Sequence, residues 1–306
     1  MAPRDAPVRR ARRGAHAQHR PGRVGQGEEP SRHGGDLVVV SSGDELSGAW
    51  NFRDVAEETG IRPGRLFRSS ELSRLDDEGR TALARLGVGD VADLRSRREV
   101  ERRGPGLVPD GVAVHLLPFH ELSADEADAP HESAFEKMMT AKPDDEDVAV
   151  AAARFMTEEY ERFPSLPGAR TAVRQVISML AEERPVIAHC FAGKDRTGFT
   201  VALVLETVGV PRDAIVADFL RSNAAVPALR ERILESIRTR AEETTTPEIV
   251  TFAEARLNEE VLGVREEYLT AAKRSIDAEY GSTTGYLESL GVTPGQVSRL
   301  RTSLLG

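Results

Sequence analysis

Short apolar runs alternate with longer amphipathic segments from about residue 37 onward. The short runs are rich in aliphatic residues and are bounded by turn residues, which is typical of buried strands. The predicted strands cover residues 37–41, 66–69, 91–94, 112–118 and 186–188. Segments with helical spacing lie between them. The pattern therefore predicts an α/β domain with a mostly parallel central sheet flanked by helices.

Capping residues mark several helix boundaries. Asp76 is placed to cap a helix that ends at Gly87, and Ser96 is placed to cap a short charged helix through residue 102. Further helices are predicted at residues 147–162, 168–182, 197–208, 211–222, 226–240, 265–279, 283–290 and 294–304. Because most of these follow the last predicted strand, the C-terminal region is expected to be helical.

The domain itself is expected to span residues 41–306. Residues 1–40 are rich in arginine, glycine, alanine and proline, and they lack apolar periodicity, so they predict a disordered basic segment. This segment has no apolar central run of the kind found in a secretory signal. A transit peptide, a regulatory tail and a start codon assigned too early stay open. Residues 121–147 are acidic and aperiodic, and they predict a mobile loop.

Charge is unevenly distributed along the chain. Residues 1–40 contain eight arginines and four acidic residues, a net charge of +4, and the whole chain has a formal net charge of −9, so the remainder carries −13. An acidic body argues against nucleic acid and anionic membranes as partners. No apolar run approaches the ~18 residues of a membrane span, so no integral membrane segment is expected. The sequence does not indicate an oligomeric state.

Candidate chemistry is concentrated where the last predicted strand ends. The single cysteine, Cys190, lies six residues before Arg196, and an apolar segment with helical character follows. A helix start offers unpaired N–H groups and the positive end of the helix dipole, which favour a thiolate and a bound phosphate alike. The planar fork of Arg196 suits two phosphate oxygens. This strand, loop and helix start predict a nucleophilic thiolate that handles phosphate.

Other residues of the loop complete this interpretation. Gly193 and Gly198 lack Cβ atoms, which is expected to let backbone amides approach an anion closely. The hydroxyl of Thr197 is expected to donate a hydrogen bond to the thiolate, and Lys194 adds a second positive charge unless it is a solvated loop residue. The predicted substrate-binding set in the loop is Phe191, Ala192, Gly193, Lys194 and Thr197.

Two other motifs are excluded by the residues present. A GxxxxGK[ST] nucleotide-binding loop would need glycine at position 188 and a hydroxyl at position 195, where the chain has Ala188 and Asp195. A zinc site of cysteines or a disulfide would need more thiols than one. No metal and no cofactor are therefore expected. A lone thiol nucleophile suits a reducing compartment, so a cytoplasmic location is expected, with export by another route left open.

The stretch His189-Cys-Phe-Ala-Gly-Lys-Asp-Arg-Thr-Gly198 resembles the HCxxGKDRT signature of the atypical bacterial tyrosine phosphatases, a branch of the cysteine-dependent phosphatases. Further stretches resemble the same family: Asn51-Phe-Arg-Asp54, Arg62-Pro-Gly-Arg-Leu-Phe-Arg-Ser69, Asp93-Leu-Arg-Ser96, Val264-Arg-Glu-Glu-Tyr-Leu269 and Tyr280-Gly-Ser282. The resemblance covers about residues 47–306. It implies a tyrosine-phosphatase-like fold with a helical lid at residues 226–258, although ordinary amphipathic packing also explains the spacing there.

Two aspartates compete for the proton transfers that such a reaction needs. Asp195 lies in the loop beside Arg196, where it would reach a leaving oxygen, although a structural carboxylate in an ion pair is an alternative. Asp93 lies at the end of a predicted strand. We prefer Asp195 as the acid and expect Asp93 to line the site or orient the loop. His189 is expected to bond to backbone and orient the cysteine.

The resulting hypothesis is a metal-independent hydrolase of phosphate monoesters that forms a phosphocysteine intermediate. Phosphotyrosine is the expected substrate, with phosphoserine, phosphothreonine and phosphoinositides as further candidates. The loop shares Ala192, Gly193 and Lys194 with a related loop of lipid phosphatases but has Phe191 in place of that loop's first lysine. A catalytically weak module that binds phosphorylated partners is the alternative. The contacts of the segments Asn51 to Asp54 and Arg65 to Arg68 are expected to stabilise the fold more than to bind substrate.

Overall fold

The structure is a computed structural model that describes residues 46–120, 147–244 and 255–306, with side chains as far as residue 238 in the second range. All described residues belong to one compact unit. The predicted basic segment, the strand at residues 37–41 and the loop that begins at residue 121 lie outside the described residues. None of the helices in the described ranges is long and apolar enough to cross a membrane.

The described strands form a five-stranded sheet, and four of them lie at predicted apolar runs. They are β1 (Arg53–Asp54), β2 (Leu66–Ser69), β3 (Asp90–Asp93), β4 (Ala113–Leu116) and β5 (Val186–His189). The order is β1-β2-β5-β3-β4; β1 is antiparallel to β2 and every other pair is parallel. The expectation of a mostly parallel sheet is confirmed. The two-residue β1 was missed because it is too short to show a periodic pattern.

The central strand β5 pairs with β2 on one side and with β3 on the other. Its last residue, His189, is level with Ser69 of β2 and Asp93 of β3. Parallel strands end at the same edge of a sheet, so the three connections that leave these residues meet there. Ligand sites of open α/β sheets lie beyond this carboxyl edge.

Helices cover both faces of the sheet. They are α1 (Ala56–Thr59), α2 (Asp77–Arg85), α3 (Arg97–Arg103), α4 (Val148–Arg162), α5 (Pro167–Ala181), α6 (Asp195–Val208), α7 (Arg212–Leu220), α8 (Val226–Thr244), α9 (Glu259–Leu262), α10 (Glu266–Tyr280), α11 (Thr283–Ser289) and α12 (Pro294–Leu305). The predicted caps are present: Asp76 accepts a hydrogen bond from Gly79 N, and Ser96 forms a capping box with Glu99. The single-turn helices α1 and α9 were missed.

Alternate residues of β5 pack into different cores. Val186 and Ala188 join the larger cluster, which contains side chains of α5, α6 and the C-terminal helices. Ile187 joins Phe67 and Val91 in the smaller cluster on the opposite face, beside α2. Because both faces are covered, the strand is apolar up to His189, as expected for a buried parallel strand. The two cores hold the end of β5 rigidly, and this fixes the position of the residue that follows.

Candidate active site

The signature loop begins directly after β5. Cys190 follows the strand, and α6 begins at Asp195, two residues before the predicted helix start. Gly193 has a φ of 64°, and a Cβ there would lie 2.1 Å from the Ser69 carbonyl oxygen. A Cβ at Gly198 would lie 2.6 Å from the Phe219 ring. Both positions therefore need glycine because neighbouring protein atoms leave no room for a Cβ. The reason expected from the sequence was a different one, the close approach of backbone amides to an anion.

The carbonyl groups of the loop are held on its outer side. Asn51 Nδ2 donates to the carbonyl oxygens of Ala192 and Gly193 at 3.0 and 3.1 Å. Arg68 Nη2 donates to those of Gly193 and Lys194 at 2.8 and 3.2 Å. The amide N–H of a planar trans peptide points opposite to its carbonyl. The N–H groups that follow these carbonyls therefore point toward the inner side of the loop, where an anion would be bound.

A buried ion-pair network supports these two donors. Asp218 of α7 accepts from Arg53 Nε at 2.7 Å and from Arg68 Nη1 at 2.5 Å, and Arg53 Nη1 donates to Asn51 Oδ1 at 2.7 Å. Burial raises the pKa of Asp218, but the charges of Arg68 and Arg53 outweigh it and hold the pKa below its ordinary value. Asn51, Arg53 and Arg68 therefore contact the loop and its support.

Arg196 forms a two-point ion pair with Glu99 of α3. Its Nη1 and Nη2 atoms lie 2.6 and 2.8 Å from the two carboxylate oxygens, and Glu99 is only 1% exposed. Glu99 also accepts from the backbone N–H of Ser96 in the capping box. This pair fixes the plane of the guanidinium beside the loop. Arg196 Nη1 also donates to the Leu94 carbonyl oxygen at 3.4 Å, which adds a third contact between the guanidinium and the protein.

The Cys190 side chain is a free thiol and is almost completely buried, at 2% exposure. His189 beside it is fully buried, and burial lowers the pKa of its imidazole below the ordinary value. A neutral imidazole suits the contact between His189 Nδ1 and the Cys190 carbonyl oxygen at 3.2 Å. Thr197 Oγ1 is buried with no hydrogen-bond partner among the described residues, so the bond to sulfur expected from the sequence is not formed here.

Asp195 has the most exposed charged side chain of the loop, at 23% against 9% for Lys194 and 10% for Arg196. Its Oδ1 accepts a hydrogen bond from Tyr160 at 3.2 Å, and its Oδ2 lies 3.5 Å from Lys194 Nζ. Lys194 Nζ also donates to the Leu262 carbonyl oxygen. Lys194 is therefore anchored between Asp195 and α9 rather than solvated.

Asp93, the other aspartate considered, is 2% exposed and contacts protein groups. It accepts from Arg95 Nη2 at 2.7 Å and from Arg95 Nε at 2.9 Å, and it lies 3.7 Å from His189 Nε2. Burial raises the pKa of Asp93, but His189 and Arg95 outweigh it and lower the pKa overall. An ionised carboxylate held by Arg95 has no proton to donate near neutral pH.

Helix α8 packs over the signature loop. Its Leu229 and Leu234 belong to a buried apolar cluster with Ala192 and Leu262, and Phe191 packs against this cluster. The Arg103 guanidinium lies 3.9 Å from the centroid of the Phe191 ring.

A buried carboxylate ties α8 to the rim of the site. Glu71 accepts from Arg232 of α8 at 3.0 Å, and from Arg103 and Arg95 at 3.3 Å each. The backbone N–H of Glu71 donates to the Phe191 carbonyl oxygen. The helix and the loop are therefore connected both by apolar contact and by a shared ion-pair centre.

Sequence reasoning did not single out the residues that support the loop from a distance: Glu71, Glu99, Tyr160 and Asp218. Only Glu99 had a readable signal, because it stands three residues after Ser96 in a capping-box pattern. The others are brought to the loop by tertiary packing. No group of three or more possible metal-binding side chains is present in the parts of the chain that the structure describes.

A thiol at the end of a central parallel strand, inward-facing loop amides and an oriented arginine define the class of cysteine-dependent phosphatases. The comparison with family models matches residues 44–306 to the tyrosine phosphatase family. The chain belongs to this family and is a phosphoric monoester hydrolase of the protein-tyrosine-phosphatase type.

Three relatives place the chain within the family. It is 58% identical to the triple specificity protein phosphatase PtpB of Mycobacterium tuberculosis, over 86% of this chain and 99% of the relative. It is 29% identical to a putative tyrosine-protein phosphatase of Cupriavidus necator, over 80% of this chain and 81% of the relative. It is 27% identical to a tyrosine-protein phosphatase of Nostoc commune, over 80% of this chain and 76% of the relative.

Proposed function

We propose that this chain hydrolyses phosphate monoesters in two displacements at phosphorus. In the first, the Cys190 thiolate forms a bond to phosphorus while the ester oxygen leaves and takes a proton from Asp195. In the second, water attacks the phosphocysteine, its proton passes to Asp195, and the thiolate and inorganic phosphate are released. Arg196 and the loop amides bind the non-bridging oxygens throughout.

The observation that carries this proposal is the outward anchoring of the loop carbonyls by Asn51 and Arg68. The amides are fixed before substrate arrives, so they need no reorganisation when charge moves on the phosphoryl group. Phe191, Ala192, Gly193, Lys194 and Thr197 are the proposed substrate-binding residues of the loop. Asp93 is proposed to orient the loop through His189.

Phosphotyrosine is the proposed main substrate, with phosphoserine, phosphothreonine and phosphoinositides as further substrates. The close relative PtpB is named for triple specificity, which supports a broad range. The anchored Lys194 adds positive charge beside the loop, and this favours highly charged phosphate groups. A reducing compartment such as the cytoplasm suits an enzyme with a single reactive thiol.

The test is a quenched-turnover experiment with radiolabelled substrates. Purified full-length enzyme is mixed with phosphotyrosyl, phosphoseryl and phosphoinositide substrates in the presence of EDTA, and the reaction is quenched during the first turnover. We expect phosphate release and label on the peptide containing Cys190, with vanadate competing. Binding of every substrate without phosphate release would instead identify a phosphate-binding module, and label on another residue would overturn the mechanism.

We also propose that α8 acts as a lid, since it covers Phe191 and Ala192 and is tied down by the pair of Arg232 and Glu71. Part of the segment assigned to the lid from the sequence, residues 245–254, lies outside the described residues. Glu71 keeps two other arginine partners if Arg232 is removed, so the rim is expected to persist while the lid opens more easily.

The substitution Arg232→Ala is therefore expected to raise kcat/KM for a phosphotyrosyl peptide about threefold to tenfold, because the open form becomes more populated. A small aryl phosphate is expected to gain less. Arg238→Ala is the matched control, since Arg238 forms an ion pair with Glu231 within the same helix. An equal fall in kcat/KM for both substrates would show that Arg232 binds substrate and that it is not a latch.

A further inference from the structure

Tyr160 is a buried tyrosine beside the signature loop that the mechanism above does not use. It lies near the end of α4 and is 0% exposed. Its hydroxyl donates a hydrogen bond to Asp195 Oδ1 at 3.2 Å. Tyr160 is therefore the described residue that donates a side-chain hydrogen bond to the Asp195 carboxylate. The contact joins two residues that are 35 positions apart. A fully buried phenol is thus directed at the proposed proton donor.

An aromatic cluster holds the Tyr160 ring in place. Its ring centroid lies 4.7 Å from that of Phe163, 5.4 Å from that of Tyr268 and 6.1 Å from that of Phe219. A side chain packed on several sides has one accessible rotamer, so its hydroxyl stays at a fixed point. Burial, followed by the charge of Asp195, raises the pKa of Tyr160 well above its ordinary value. The phenol therefore keeps its proton and acts only as a donor to the carboxylate.

Other charged and titratable groups face the same carboxylate. Lys194 Nζ lies 3.5 Å from Oδ2 but also donates to the Leu262 carbonyl oxygen. Tyr268 of α10 has its pKa raised to about 12 by burial and then by the charge of Asp195. The charge of Arg68 lowers the pKa of Tyr160, which opposes the effects of burial and of Asp195. Tyr160 differs from these groups because it makes a directed hydrogen bond to Oδ1, whereas Lys194 lies beside Oδ2 at the longer distance of an ion pair.

We propose that Tyr160 is a positioning residue for the proton transfers of Asp195. This inference rests on the proposed function. By binding Oδ1, Tyr160 presents Oδ2 to the leaving oxygen in the first displacement and to the attacking water in the second. The proton moves from Oδ2 to the ester oxygen, and later from water back to the carboxylate. The phenol gains and loses no proton in either step.

The substitution Tyr160→Phe tests this role because it removes the hydroxyl and keeps the ring. The measured rate is leaving-group release in a single turnover. For phenyl phosphate, whose leaving group needs a proton, we expect a fall of about tenfold with KM nearly unchanged. For dinitrophenyl phosphate, whose leaving group does not, we expect less than about a twofold change.

The dependence of the rate on the leaving group supplies a second readout. A series of aryl phosphates whose phenols differ in acidity reports how far the leaving oxygen is protonated in the transition state. Loss of the Tyr160 hydroxyl is expected to make the single-turnover rate depend more steeply on the acidity of the leaving phenol. Tyr286→Phe is the matched control, since its hydroxyl is buried without a hydrogen-bond partner among the described residues and the ring lies on α11. It is expected to leave both readouts unchanged.

A double-mutant cycle separates this proposal from the mechanism on which it depends. In the Asp195→Asn background, Tyr160→Phe is expected to have no further effect on phenyl phosphate. A further tenfold loss there, or equal losses for both leaving groups in Tyr160→Phe alone, would show that Tyr160 is only structural. If Asp195→Asn itself leaves turnover unchanged, then the acid role of Asp195 has failed.

Discussion

Replacing Cys190 with serine is expected to lower turnover of a phosphotyrosyl peptide by at least about 10⁴-fold. A serine hydroxyl is not ionised near neutral pH, so it would need a neighbouring base. The imidazole that precedes residue 190 in the chain, that of His189, contacts the Cys190 carbonyl oxygen through Nδ1 and has a lowered pKa because it is buried. His189 is therefore poorly placed to act as a base for an alcohol.

Phosphate binding is expected to survive the same substitution. Serine is nearly isosteric with cysteine, and Asn51 and Arg68 hold the loop by bonds to other residues. Calorimetric titration of the serine variant with the phosphotyrosyl peptide is therefore expected to give a Kd within about tenfold of the Kd of the unchanged enzyme for the same peptide before turnover. Thermal unfolding provides the control for folding. Turnover above about one per cent of the unchanged enzyme would contradict the role of Cys190 as nucleophile.

The sequence predicts the centre of this molecule better than its surroundings. Residues 66–69 and 186–189 form strands almost as predicted, because both lie inside the sheet and are buried on both faces, although β2 also carries Arg68 and Ser69. Asp76 and Ser96 cap their helices because a cap depends on residues three positions away. Strand β1 and helices α1 and α9 were missed because two to four residues show no period.

The support of the site could not be predicted in the same way. Glu99 reaches Arg196 across 97 positions, and Asp218 reaches Arg53 across 165. These pairs depend on how helices dock on the sheet, and a single sequence carries no record of such contacts. The chemistry of the loop was readable because strand, anion-binding turn and helix start are contiguous. The orientation of that chemistry is set by distant residues.

The pair of Arg196 and Glu99 is the part of that support with the largest expected effect on rate. Arg196→Lys keeps one positive charge and loses the planar fork, so both the two-point bond to Glu99 and the two-point grip on phosphate are lost. We expect kcat for an aryl phosphate to fall about 10³-fold, the loss seen when a main transition-state donor is removed. KM is expected to change much less.

Glu99→Gln separates the orientation of the guanidinium from its charge. The glutamine keeps the shape of the side chain and one hydrogen-bond acceptor, so the bond to Ser96 N and the helix start are expected to persist. The guanidinium then has one firm contact where it had two, and we expect kcat to fall about tenfold. Urea unfolding measures stability alongside the steady-state kinetics. Both substitutions weaken the ion pair between residues 196 and 99. Losses of kcat without matching losses of stability would assign this pair to catalysis. A kcat for Arg196→Lys within about tenfold of that of the unchanged enzyme would exclude that assignment.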